Sequence, residues 1–192
     1  MTDGPFKNLK LGSGWRRLAE AVQNDAASPE ECGLVASDAL TRHLATREHA
    51  KALQELDSHL RRGQLDLDLL GAIEAILDGC EKTPFLDAFQ KELLYRAAND
   101  TPLGEAIAPA LDSAIDTEIG ESRNRFHEEC IRAQEAGEIS PDVANRVRER
   151  IDLAFSAVDS EKVRDALLAG ERDAFEKDLG GGDDVDEGMV RL

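Results

Sequence analysis

The sequence predicts an all-α protein, a compact bundle of about eight helices around one long central helix over residues 102–137. Three observations predict it. Apolar residues recur at spacings of three and four along most of the chain, which is the period of a helix face. Ser-Pro and Thr-Pro pairs recur just ahead of such stretches, where a cap followed by proline starts a helix. Aromatics make up only 4% of the 192 residues within a hydrophobic share of 41%. Alanine and leucine therefore carry the core, and no segment shows the alternation of a half-buried strand.

Residues 1–14 read as an irregular arm, broken at Gly4-Pro5 and at Gly12-Ser13-Gly14. A short helix from Trp15 to about Asn24 follows, with Trp15, Leu18, Ala19 and Val22 on one face. Ser28-Pro29-Glu30-Glu31 joins a serine cap, an N1 proline and a glutamate at N3, so it opens the next helix. That helix turns Cys32, Val35, Ala36, Ala39, Leu40, His43 and Leu44 inward. A further helix is expected over Arg47–Arg62, with His49, Leu53, Leu56 and Leu60 inward and Gly63 as its stop. Asp66 or Asp68 caps the following one, whose face is Leu69, Leu70, Ile73, Ile76 and Leu77.

Thr83-Pro84 opens a helix bearing Phe85, Leu86, Phe89, Leu93, Leu94 and Ala97; Thr101-Pro102 and Ser140-Pro141 repeat the device. In the long central helix the stripe runs through Leu103, Ile107, Leu111, Ile115, Ile119, Ser122, Phe126, Cys130 and Ala133. Pro109 is the natural place for a kink or a break in it, and Gly120 a second weak point. The helix from Pro141 to Val158 buries Val143, Val147, Ile151, Ala154 or Phe155, and Val158. Two short helices, Glu161–Ala169 and Glu171–Leu179, contribute Val163, Leu167, Phe175 and Leu179. Connections are short, which suits antiparallel neighbours, and the capped starts follow no repeat period. Residues 15–179 thus form one helical domain, and the glycine- and acid-rich residues 180–192 a tail expected to be mobile.

Forty acidic and 23 basic residues give a net charge of −17. The excess is uneven: residues 1–25 carry 4 basic and 3 acidic side chains, whereas residues 138–192 carry 8 and 15. Such a surface argues against direct nucleic-acid binding, which needs a basic footprint. With no signal-like start and no apolar run of about 20 residues, neither secretion nor a membrane span is expected. The three cysteines, Cys32, Cys80 and Cys130, are widely spaced and odd in number, so they read as reduced thiols of a cytoplasmic protein.

Catalytic signals are weak. Glu118, Glu121, His127, Glu128 and Glu129 crowd the long helix, yet no Glu-x-x-His or His-Glu-x-x-His is present to hold a metal. Glu121 with Arg125, and Glu128 with Arg132, are spaced for surface ion pairs, so the group is read as a solvated face. His43 and His49 are read as packed, hydrogen-bonded histidines, and Cys130 with His127 lacks the third group that would orient an imidazole. No phosphate loop, serine elbow or calcium loop occurs. No catalytic residue, metal ligand or cofactor is therefore assigned.

The N-terminal arm is the exception to the acidity, combining Phe6, Leu9, Leu11 and Trp15 with Lys7, Lys10, Arg16 and Arg17. Either the arm folds back on its own helices, or it docks a partner; in the second case these eight residues are the partner-binding set. The expected function is a non-enzymatic accessory or adaptor subunit, making protein–protein contacts or self-associating in a larger bacterial cytoplasmic assembly. A defence system is one such setting, though no residue specifies it. The alternatives are an acidic nucleic-acid mimic that inhibits a nucleic-acid enzyme, and a carboxylate-bundle metalloenzyme.

Overall fold

The computed structural model describes residues 4–46, 49, 51–53, 56, 69–80 and 82–169. The described residues form seven helices and no strand. In chain order these are α1 (Ser13–Gln23), α2 (Pro29–Leu44), α3 (Leu69–Asp78), α4 (Pro84–Ala98), α5 (Leu103–Glu135), α6 (Pro141–Ser156) and α7 (Ser160–Ala169). His49, Lys51–Leu53 and Leu56 are helical as well, within the stretch expected to be helical from Arg47. Leu60, the Gly63 stop, the Asp66 or Asp68 cap, the helix over Glu171–Leu179 and the tail over 180–192 lie outside the described residues. So do the side chains of Leu69, Leu70, Ile73, Ile76 and Leu103.

Three helix starts follow the expected chemistry. Ser28 Oγ accepts the Glu31 N–H at 3.1 Å while Glu31 Oε2 accepts the Ser28 N–H at 2.7 Å, a complete capping box. Thr83 Oγ1 caps Leu86 N–H at 3.2 Å, and Ser140 Oγ caps Val143 N–H at 3.3 Å. The fourth departs from it: α5 begins at Leu103 behind Pro102 with no side-chain cap. Thr101 is already committed to the end of α4, because its N–H donates to Arg96 O at 3.1 Å and the Asp100 N–H donates to Ala97 O at 3.2 Å. That is a Schellman closure with Asp100 in the left-handed position, φ 59°. One tight connection serves two helices: Thr101 closes α4, and Pro102, which has no side-chain acceptor, takes the N-cap position of α5. The end of α5 repeats the closure with Gly137, φ 71°.

The long helix is unbroken, 33 residues or ~50 Å, and runs through Pro109 without splitting. Ala106, Ala110, Ala114, Glu118, Ser122, Phe126 and Cys130 are all buried at steps of four. Each such step turns about 40° around the helix, so the buried row winds about the axis. α5 thereby meets α4 over its most extensive contact, and also α6 and α7. One hydrophobic core runs from Phe6 to Leu167. At its centre Phe126 meets Phe6 edge-on, centroids 5.0 Å apart, with Trp15 at 5.9 Å and Phe155 at 6.1 Å.

Small residues set the other helix contacts. A Cβ on Gly14 would lie 3.0 Å from Ala39 Cα, and one on Gly33 would lie 2.6 Å from Ala157 Cβ. The first ties α1 to α2; the second ties α2 to the end of α6. Gly14 therefore belongs to the first turn of α1, not to the irregular arm.

Candidate functional site

The structure buries Phe6 to 1% exposure and Trp15 to 6%, and packs Leu9 and Leu11 partly against the core. The arm folds back: turns hold residues 4–9, with Lys7 N–H donating to Gly4 O at 3.2 Å and Leu9 N–H to Phe6 O at 3.1 Å, and Lys7 Nζ reaches Glu138 Oε1 at 3.0 Å. Arg17 pairs with Asp38 at 3.4 Å, while Lys10 and Arg16 are exposed. Phe6 and Trp15 are thus core residues here, and could anchor a partner only if the arm left the bundle. The eight residues do not form one exposed surface.

The acidic stretch of α5 divides in a way the sequence did not suggest. Glu121 and Glu128 are exposed, but Glu118 and Glu129 are buried, against the expectation of one solvated face. Glu128 pairs with Arg132 at 3.6 Å as expected, and Glu129 pairs with the same arginine. The Glu121–Arg125 pair is absent among the described residues. Glu118 Oε1 accepts a hydrogen bond from His43 Nε2 at 2.9 Å. The bond from His43 holds the Glu118 carboxyl below its ordinary range; burial opposes this, and the charges of His43, Arg125 and His49 add to it. The same imidazole stands edge-on to Trp15, centroids 5.6 Å apart. His43 therefore joins α1, α2 and α5.

This acid–imidazole pair lacks a nucleophile. Ser122 Oγ, one turn below Glu118, is buried with no hydrogen-bond partner among the described residues, so no Ser–His–Glu relay is assembled. Burial pushes the Cys130 thiol up to about 11, which leaves it protonated at neutral pH. His49 is saturated: Nδ1–H donates to Leu44 O at 2.8 Å, which fixes the tautomer, and Nε2 meets Thr83 Oγ1 at 2.9 Å. Among the described residues, no group of three His, Cys, Asp or Glu side chains is arranged to hold a metal. No described helix is long and apolar enough to cross a membrane.

Among the described residues, two adjoining hollows lie at the α1–α2 turn. An open groove of about 510 Å³ is lined by Glu20, Ala21 and Asn24 from α1 and its end, Ala26 and Ala27 from the turn, and Glu31, Leu34 and Val35 from α2. A smaller hollow of about 110 Å³ shares Ala27 and is lined by Pro29, Cys32, Arg150 and Leu153. Leu34 is 68% exposed and Leu153 49%, so a large aliphatic side chain stands in solvent beside each hollow. The other exposed large apolar residues, Tyr95, Ile131 and Leu168, line neither.

Arg150 of α6 fixes this turn from below. Its Nη2 donates to Ala27 O at 2.7 Å, to Ala21 O at 3.3 Å and to Asn24 O. Its Nη1 lies 3.5 Å from Asp25. One guanidinium thus gives the Ala21 and Asn24 carbonyls, which already accept the Asn24 and Ala27 N–H groups, a further donor and also holds Ala27 O. Asn24 Oδ1 accepts the Ala26 N–H at 3.0 Å, an Asx turn within the same loop. The sequence carried a signal for the groove: Leu34 and Leu153 fall outside the apolar stripes of their helices, and a leucine placed outward has no core to explain it.

No protein-family model matches the chain, and no curated protein or solved structure matches it either.

Proposed function

We propose that this chain is a non-catalytic helical adaptor subunit that binds another polypeptide through the face around the α1–α2 turn. The observation that carries the reading is the pairing of two exposed leucines, Leu34 and Leu153, with adjoining hollows that share Ala27. Apolar side chains scattered singly need no explanation, but a concave apolar face held rigid from beneath is the form of a docking surface. Arg150 supplies that rigidity through three carbonyl contacts. The proposal keeps the bacterial cytoplasmic setting expected from the sequence.

The nucleic-acid mimic draws on the same net charge but has less behind it. A mimic needs free carboxylates in phosphate-like rows; Asp38 is shared by Arg17 and Arg42 and Asp25 by Arg146 and Arg150, while Glu20 and Glu121 stand exposed with no ion pair among the described residues. The test is affinity capture of the tagged full-length chain from its native cells, comparing it with a Leu34→Asp/Leu153→Asp variant. Both positions are exposed, so the variant is expected to fold, which a melting curve matching that of the parent checks. Loss of the captured protein in the variant is expected; a partner retained at the same level by both forms overturns the reading.

A further inference from the structure

We infer that the α1–α2 groove takes a basic amphipathic helix of a partner protein, with an aliphatic residue seated beside Leu34 and lysines or arginines facing Glu20 and Glu31. This rests on the adaptor reading above and names the chemistry of its partner. Three features of the groove lead there. Its apolar lining beside Leu34 is small, Ala21, Ala26, Ala27 and Val35, and the volume of about 510 Å³ leaves room for an aliphatic side chain. Among the described residues, its two charged lining side chains, Glu20 on α1 and Glu31 on α2, are both acids, and no basic side chain lines it. It is bordered by two helices and open to solvent, which suits the apolar stripe of a docked helix with its flanks on the rims.

The charge decides between occupants. Glu31 Oε2 is bound to the Ser28 N–H within the capping box, so that carboxylate is fixed in place at one rim. Glu20 makes no ion pair among the described residues and stands exposed at the other. A second copy of this chain, apposed through the same face about a two-fold axis, would set these acids against their own counterparts in a protein of net charge −17. A nucleic acid is opposed by the same sign. A helix carrying basic residues on either side of an apolar stripe meets complementary charge at both rims, which favours encounter and register.

The test uses the full-length protein and three synthetic helical peptides, read by fluorescence anisotropy. One bears a leucine stripe flanked by lysines, one replaces the leucines by alanine at equal charge, and one replaces the lysines by glutamate. The leucine–lysine peptide is expected to bind at least about tenfold more tightly than either of the others. Leu34→Ser is expected to remove the advantage over the alanine peptide, and Glu20→Gln to weaken binding with a shallower salt dependence. Equal binding of the alanine peptide, or no effect of Leu34→Ser, shows attraction to the acidic surface at large and overturns the inference. Equal binding of the glutamate peptide overturns its charge component and with it the assigned partner. Dimerisation in sedimentation that Leu34→Ser abolishes gives the groove to a second copy and also overturns it. If all three peptides fail while the Leu34→Asp/Leu153→Asp variant still loses its captured partner, the basic helix is wrong and the adaptor reading survives.

Discussion

Gly33 shows how a single missing methyl group sets the position of two helices. An alanine there would bring its Cβ within 2.6 Å of Ala157 Cβ and 3.4 Å of Ala157 O, with a rigidly held methyl carbon rather than a flexible tip in the way. Gly33→Ala should therefore destabilise the fold by about 1–3 kcal/mol in urea denaturation, the usual cost of overpacking. Ala157→Gly in the same chain should recover most of that loss, because it removes the colliding carbon. Glu118 is the second residue whose setting has a measurable consequence. Its folded carboxyl is held below the ordinary 4.5 by the His43 hydrogen bond, so its contribution is complete above that value and disappears as the pH falls through the folded one. Glu118→Gln should accordingly make stability less sensitive to pH on the acid side below 4.5, which a series of urea midpoints against pH would register. A variant whose acid limb is as steep as that of the parent would contradict the assignment. The pair was not legible in the sequence, for a physical reason. The buried row of α5 is built at its N-terminal half from Ala106, Ala110 and Ala114, and alanine is too small to mark a face by hydrophobicity. Without those three, Glu118 does not read as a member of the row.

Helix ends, by contrast, were largely written in the residues. Ser28, Thr83 and Ser140 cap as their spacing implies, because a hydroxyl followed by proline leaves the backbone few other choices. Thr101 has the same local sequence and does not cap, since α5 begins one residue later with Pro102 in the N-cap position, leaving Thr101 in the closure of α4. The distinction depends on a connection only a few residues long, which no single-helix signature contains. It also gives a paired prediction: Ser140→Ala should cost about 1 kcal/mol in thermal or chemical unfolding, while Thr101→Ala should cost little. A comparable loss at both positions would mean that the Thr101 hydroxyl stabilises the start of α5 after all. The closure itself offers a gain. Asp100 occupies the left-handed position that glycine takes at the end of α5, and a side chain there is under conformational strain. Asp100→Gly should raise stability by about 0.5–1 kcal/mol, despite the freedom glycine adds to the unfolded chain.

At the scale of the molecule, the fold class was legible because one period ran through nearly every segment, whereas the groove depends on where two outward leucines meet a turn held by Arg150. That guanidinium comes from α6, more than a hundred positions along the chain, and no local pattern links it to the loop it supports. Charge acts at this scale as well. The chain carries 40 acids against 23 bases, so after every available ion pair has formed an acidic surplus remains. Many of the pairs are exposed, such as Lys162–Asp159 and Arg132–Glu128, and exposed pairs contribute little. Repulsion among the unpaired carboxylates is spread over the surface and acts across distances near the Debye length, about 10 Å at 0.1 M salt. Unfolding lets those charges move apart, so self-repulsion lowers the stability of the compact state. Added sodium chloride screens both the pairs and the surplus, and with a net charge of −17 the surplus decides the sign. The melting temperature should therefore rise as sodium chloride is increased from low to moderate concentration, then level off as screening saturates. Potassium chloride should act alike, which separates screening from specific ion binding. A melting temperature that falls over the same range would show that the ion pairs outweigh the surplus, and that the acidic exterior does not strain the fold.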